Sequence, residues 1–339
     1  MAYLSTMSKL YTFNFHQSSK GGILLSSEQK VWSLSDRWNR ENGYRQVLSI
    51  AFPLVLSMGS VAIMLFVDRM FLTWHSAEAV AASMPAGMLN FALMTLFMGT
   101  AGYTSTFVAQ YHGAGRHDRI GPTVWQGIYI AMIGGAALLA LAPFAGIFFR
   151  FIGHDVAIRE NEVVYFRLLC FGAMPFVASA AVAGFFSGRG RAWPVMWVNV
   201  LATSINALMD YVLIFGHWGF PELGIKGAAI ATVISSSMGF IVYLALLSRR
   251  ANNTQYRTIS GWRFDQALFR RLVRFGFPNG LQFFIDMIGF TVFILFMGRL
   301  GTVPLAAINV AMNISILAFL PMIGVGIAIS VLVGQSLGR

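Results

Sequence analysis

Three carboxylates stand where the sequence is otherwise most apolar. Asp68 ends the run AIMLFVD (62–68), Asp210 lies in NALMDYV (206–212) and Asp286 in QFFIDMI (282–288). An acid at the centre of a membrane helix costs about 2.5–3.5 kcal/mol on insertion scales, so such a residue is rarely kept without a use. Asp210 has company: Asn199, Asn206 and Asp210 are spaced i, i+7 and i+11, directions within about 40° of one another on an α-helix. That stripe offers oxygen acceptors, which hard cations such as sodium prefer, and a buried carboxylate serves a proton equally well. Two readings stay open for it: an ion site, or a polar seam that hydrogen-bonds neighbouring helices. For Asp68, beside Arg69, the alternative is an acid near a helix end reaching headgroup water.

Other chemistry is sparse. The single cysteine, Cys170, supports neither a disulfide nor a Cys-rich metal site. The six histidines fall in loops or in the polar N-terminal stretch, where solvated side chains explain them. HGAGR (112–116) and SGRGR (187–191) contain glycines but lack the spacing of a dinucleotide or P-loop motif, and read as tight turns. No set of nucleophile, base and orienting group assembles, so the chain does not read as an enzyme. No cofactor is expected beyond a coupling ion.

The elements that must position these acids are membrane helices. Hydrophobic residues make up 57% of the 339 and charged residues only 11%, against about a quarter charged in a soluble domain. Apolar runs of about 20 residues, the length that crosses some 30 Å of hydrocarbon, recur near 47–68, 84–110, 123–149, 163–187, 194–215, 225–247, 275–297 and 305–334. The expected fold is therefore all-α and polytopic, with about eight transmembrane helices; the short alternating segments of a β-barrel are missing. Residues 1–44 are polar and read as a cytoplasmic leader. The basic stretch 248–274 reads as a linker carrying an amphipathic helix at the membrane surface. Of the 24 Lys and Arg residues, eighteen fall in the leader with Arg45, in loops 111–122, 188–193 and 248–274, and at Arg339. By the positive-inside rule these segments are expected to be cytoplasmic. Anionic lipid then accounts for the net charge of +11 without a nucleic-acid partner.

The chain also repeats itself. At an offset of 225 residues, Phe52-Pro53 meets Phe277-Pro278, Ala81-Ala82 meets Ala306-Ala307, Gly99 meets Gly324 and Gln110 meets Gln335. The repeat places six spans in one lobe, 45–247, and begins a second at 275–339. An even number of spans separates the copies, so they share topology and should be related by an axis along the membrane normal. In matched registers Asp68 and Asp286 differ by seven residues, about 10 Å of helical rise, so Asp286 is expected to form a second, separate acidic site.

FVDRMFLTW, TSTFVAQYHGAGR, NVLATSINALMDYVLIFG, GIKGAAIATVIS and LFRRLVRFGFPNGLQ, in that order, resemble the MATE family of multidrug and toxic-compound extrusion transporters. The resemblance implies twelve helices in two lobes around a central cavity, in the bacterial inner (plasma) membrane with the N-terminus cytoplasmic. It also implies export of organic cations in exchange for Na+ or H+. The chain stops after its eighth span, so truncation, or a separate chain supplying the remaining helices, is expected. The resemblance further implies, from DinF-like members, a cation or proton site built from Asp68, Asn206, Asp210 and Thr232, with Asn199 on the same stripe; Asp286 matches an acidic position of NorM-like members. Two other classes remain open. One is a lipid-linked saccharide flippase of related plan, which basic residues in the cavity would favour; the other is a non-transporting fragment or subunit.

Overall fold

A computed structural model describes residues 38–40, 43–152, 155–299 and 302–339; most of the expected leader, 1–44, lies outside them. The described residues form helices joined by short turns: α1 (Tyr44–His75), α2 (Ala77–Gly102), α3 (Thr104–Gly113), α4 (Ile120–Leu141), α5 (Ala145–Ile152), α6 (Val156–Ser187), α7 (Trp193–Phe215), α8 (Ile225–Leu247), α9 (Arg250–Tyr256), α10 (Gln266–Arg299) and α11 (Thr302–Gly338). Among the described residues, seven stretches are long and apolar enough to cross a membrane. The span expected at 275–297 lies within α10, only part of whose side chains are described.

The sequence explains where these helices turn. In α1 the buried positions Ile50, Pro53, Leu54, Ser57, Ser60, Asp68 and Leu72 recur at the three- and four-residue spacing of one helical face. The helix does not stop at the apolar boundary; it runs through DRMFLTWH to His75, which places Asp68 nearly two turns inside it. The chain then reverses at a single residue: Ser76 is extended, and its hydroxyl caps α2 by accepting from the Ala79 N–H at 3.0 Å. Such a cap satisfies an otherwise orphaned donor of the first turn. The second expected span is broken at Tyr103 into α2 and α3, and the fourth begins earlier than expected, so that α6 takes in Glu162.

Helix α6 is the centre of the bundle, packed against α2, α4 and α8, while α1 packs on α7 and α7 on α8. Two cores form. One gathers Phe107, Ile120, Phe185, Tyr243, Tyr256 and Leu272 beneath the basic loops, and the other gathers Leu72, Ala86, Leu138, Phe166, Ile214 and Ile225 toward the opposite end. The basic loops converge on one face. Arg119 reaches Asp265 at 3.2 Å, the Trp125 indole donates to the Thr258 carbonyl at 2.7 Å, and Gln335 donates to the Gly188 carbonyl at 2.9 Å.

The 225-residue register reappears as repeated contacts. A Cβ on Gly99 would lie 2.6 Å from the Gly280 Cα, where α2 crosses α10. The offset turns Gly99 into Gly324 and Val55 into Gly280, and a Cβ on Gly324 would lie 2.5 Å from Val55 Cγ2, where α11 crosses α1. Near the other end, a Cβ on Gly113 would collide with the Gln335 carbonyl, and one on Gly338 with the Gln110 carbonyl. Each pair is the other's image under the same offset, as a pseudo-two-fold axis between the copies requires. Without a hydrophobic force between helices in lipid, small residues that let backbones approach supply the packing. Asn279 adds a hydrogen bond to the Gly99 carbonyl at 3.0 Å.

Gly280→Leu should force α10 off α2 and lower the melting temperature of the detergent-solubilised protein, at an overpacking cost of about 1–3 kcal/mol. Gly289→Leu on the same helix, where nothing lies within 4 Å of the added carbon, should leave it unchanged. Equal melting temperatures for the two variants would show that the crossing does not depend on Gly280.

Candidate functional site

A polar seam runs along the interface of α1 and α7. Both helices travel in the same direction, so residues pair in order. Asn199 Nδ2 donates to Ser57 Oγ at 2.6 Å, and Thr203 Oγ1 donates to the Ser60 carbonyl at 3.1 Å. Further along, the Asp68 and Asp210 carboxyls face one another. Asn206, one turn before Asp210, is on the same buried face: Asn206 and Asp210 are 0% exposed and Asp68 only 7%.

Five side-chain atoms of these three residues are shut off from solvent without a hydrogen-bond partner. They are Asp68 Oδ1, both Asp210 carboxyl oxygens, and the amide oxygen and nitrogen of Asn206. Buried polar groups are otherwise almost always satisfied, and orphaned ones carry a desolvation cost of about 1–3 kcal/mol each. Two carboxyls and an amide oxygen form an all-oxygen donor set, suited to a hard monovalent cation or to a proton shared between the acids. A cation there would also relieve the repulsion of two like charges in a medium of low dielectric constant.

The surroundings close the site. Leu72 and Ile214, each one turn beyond an acid, are fully buried in the second core. Tyr165 of α6, buried in the same core, lies within electrostatic reach of both carboxyls. Two turns beyond Asp68, His75 Nε2 pairs with Glu222 Oε1 at 3.1 Å, joining α1 to the turn before α8. Gly224 in that turn has a φ of +52°, and a Cβ on it would strike the His75 ring, so glycine lets the turn seat against α1.

The remaining expected residues divide. Thr232 is half-buried on α8 and its hydroxyl donates to the Ala228 carbonyl of its own helix at 3.0 Å. Asn199 lies about three turns from Asp210 along α7, its amide engaged by Ser57. Asp286 is exposed on α10 and makes no ion pair among the described residues. Sequence reasoning passed over Tyr165 and also Glu162, which is fully buried one turn earlier on α6. The signal for Glu162 was the polar stretch ENE (160–162) directly before the apolar run at 163, whereas Tyr165 lies within that run and carries no local signal.

Comparison with known proteins agrees with this architecture. The chain matches the MatE family over residues 53–212 and 278–339. It is 30% identical over 296 residues to a probable multidrug resistance protein NorM of Bradyrhizobium diazoefficiens, a match that covers 87% of this chain and 63% of that protein. Among solved structures, the outward-facing conformation of a multidrug resistance MATE family transporter of the MOP superfamily superimposes with a TM-score of 0.78 at 20% identity. A MOP superfamily transporter from Pyrococcus furiosus, described as having a binding pocket of reversed polarity, gives 0.75 at 21%. Each structural match covers 87% of this chain and 65% of the other, so the chain spans about two-thirds of the length of these relatives. With the family matched over most of its length and the same helical fold, the chain belongs to the MatE family.

Proposed function

We propose that the protein works as a multidrug antiporter, exporting organic cations in exchange for Na+ or H+, with Asp68, Asn206 and Asp210 as the coupling-ion site. The observation that carries this reading is the set of five orphaned polar atoms around two facing carboxyls in a MatE-family chain. The similarity to a probable multidrug resistance protein supports the substrate class. Asn199 on α7 and Thr232 on the adjacent α8 stand as supporting residues rather than ligands, and Asp286 forms a separate acidic position.

Ion binding to the two acids would neutralise buried charge in the lobe 45–247 and bias it against the lobe that begins at 275, with the linker 248–274 between them. Alternating access about a midplane site is the general logic of such repeats. A charge that crosses the membrane contributes about 2.3 kcal/mol per 100 mV. The Arg-rich loops that converge on one face would be cytoplasmic, in a bacterial inner membrane. The helices that complete the second lobe would come from a further stretch of chain or from a separate one.

Ligand-linked stability tests the site without requiring transport. A ligand that binds only the folded protein stabilises it in proportion to the logarithm of its concentration above Kd. The coupling ion, Na+ or H+, should therefore raise the melting temperature of the wild-type protein but not of Asp68→Asn or Asp210→Asn. Each substitution should weaken the ion by roughly 100-fold, about 3 kcal/mol, through loss of one buried charged partner. Ion-dependent stabilisation that survives both substitutions would refute the site.

Transport itself is read from vesicles loaded with a fluorescent organic cation under an imposed sodium or proton gradient. Dye movement should follow one gradient and vanish in Asp210→Asn, whereas Asp286→Asn should retain ion-dependent stabilisation at the first site. Movement indifferent to both gradients would sink the antiporter reading.

A further inference from the structure

Away from the acid site, the face that gathers the basic loops carries a groove of about 1320 Å³ between the turn His117–Arg119 and the start of α10. Five arginines line it: Arg119, Arg263, Arg270, Arg271 and Arg274. Its one carboxylate, Asp265, is already engaged, since one oxygen pairs with Arg119 at 3.2 Å and the other caps α10 by accepting from the Leu268 N–H at 3.0 Å. The other four arginines have no carboxylate partner among the described residues. Arg271 sits over the Phe107 ring at 5.4 Å and Arg274 over Phe275 at 6.0 Å. These contacts orient the guanidinium groups without neutralising them.

We propose that this groove is a binding site for the headgroup of an anionic phospholipid. Three features select a lipid over a soluble acid or a nucleic acid. First, Arg270, Arg271 and Arg274 occupy one sector of α10 immediately before its apolar run begins at Phe275, so they lie at the depth of lipid phosphates rather than out in solvent. Second, the adjoining strap exposes apolar side chains, Trp262 at 59% and Phe264 at 57%, which suit the boundary between headgroups and acyl chains. Third, a phosphodiester presents to guanidinium forks the paired oxygens that they recognise best. The two walls belong to the loop after α3 with the start of α4, and to the strap 257–265 before α10; the Trp125 bond from α4 to Thr258 also ties them together. A phosphate held between them braces α10 against the six-helix lobe.

The test uses the purified full chain in neutral detergent, with phosphatidylglycerol carrying a fluorophore on one acyl chain. Unlabelled phosphatidylglycerol should displace the probe at least ten-fold more effectively than phosphatidylcholine. The triple variant Arg270→Gln/Arg271→Gln/Arg274→Gln should lose at least ten-fold in affinity for the probe, and Arg249→Gln/Arg250→Gln, on the same linker but outside the groove, should lose none. Should the triple variant fail to fold, the single variants Arg270→Gln and Arg274→Gln, each expected to weaken the probe two- to five-fold, decide the question. Equal displacement by the two lipids, or a folded triple variant with unchanged affinity, would overturn the proposal. Displacement by inorganic phosphate as potent as that by phosphatidylglycerol would assign the groove to a free oxyanion instead, and displacement by an acidic peptide but not by lipid would assign it to a protein partner.

Discussion

The Asp68 and Asp210 carboxyls meet between α1 and α7 with three of their four oxygens buried and without a hydrogen-bond donor. Nothing else in the described bundle concentrates so much uncompensated polarity, and the neighbouring packing is arranged around keeping it there. The two helices are fixed in register by the Ser57–Asn199 and Ser60–Thr203 bonds, so the acids cannot slide apart along the seam. Leu72 and Ile214 shut the site off one turn further on. Beyond them His75 and Glu222 hold the end of α1 to the turn before α8. This bracing keeps the acceptors converged between α1 and α7.

The second constraint is close approach of backbones. The crossing of α2 with α10 through Gly99 and Gly280, and that of α11 with α1 through Gly324 and Val55, are the same contact made twice in one 225-residue register. In soluble proteins such a crossing draws on the hydrophobic effect, but in hydrocarbon it rests on shape and on the few interhelical hydrogen bonds available. Glycines at these crossings therefore decide where the later helices dock. Helix α1 takes part in both systems, since it offers Val55 to α11 near one end and Asp68 to α7 near the other.

Much of this arrangement was legible in the sequence, and what was hidden has a physical reason. Hydropathy located the membrane helices because burial in lipid demands long apolar runs; the span expected at 225–247 coincides with α8 (Ile225–Leu247). The shared face of Asn206 and Asp210 follows from local periodicity alone. The ends of helices were less visible, because they are set by caps and turns that hydropathy does not register. Asp68 looked terminal in the sequence, yet α1 continues to His75 and stops where Ser76 becomes extended. Glu162 was missed for the same reason, its helix starting in polar residues, whereas Tyr165 lies inside the expected span and only its packing between helices brings it near the acids. The pairing of Asp68 with Asp210 joins positions 142 residues apart, and no spacing within either helix encodes it. Thr232, placed by resemblance beside the acids, spends its hydroxyl on its own helix, a choice open to any helical threonine.

Helix α1 also suggests how a change at the acids is felt elsewhere. Pro53 lies inside it, and a proline removes one backbone hydrogen bond and introduces a kink. The contact with Gly324 falls at Val55, half a turn from that proline, whereas Asp68 lies some four turns farther along the same rod. The stretch between them carries the bonded seam to α7. A displacement of the Asp68 end would therefore be taken up at the proline, next to where α11 docks through Gly324 against the Val55 side chain. Gly324 leaves α11 only two options there, to follow α1 or to lose the contact. The buried acid at one end of α1 and the docking of a repeated helix at the other thus share a single element, with no chain of intermediate side chains between them.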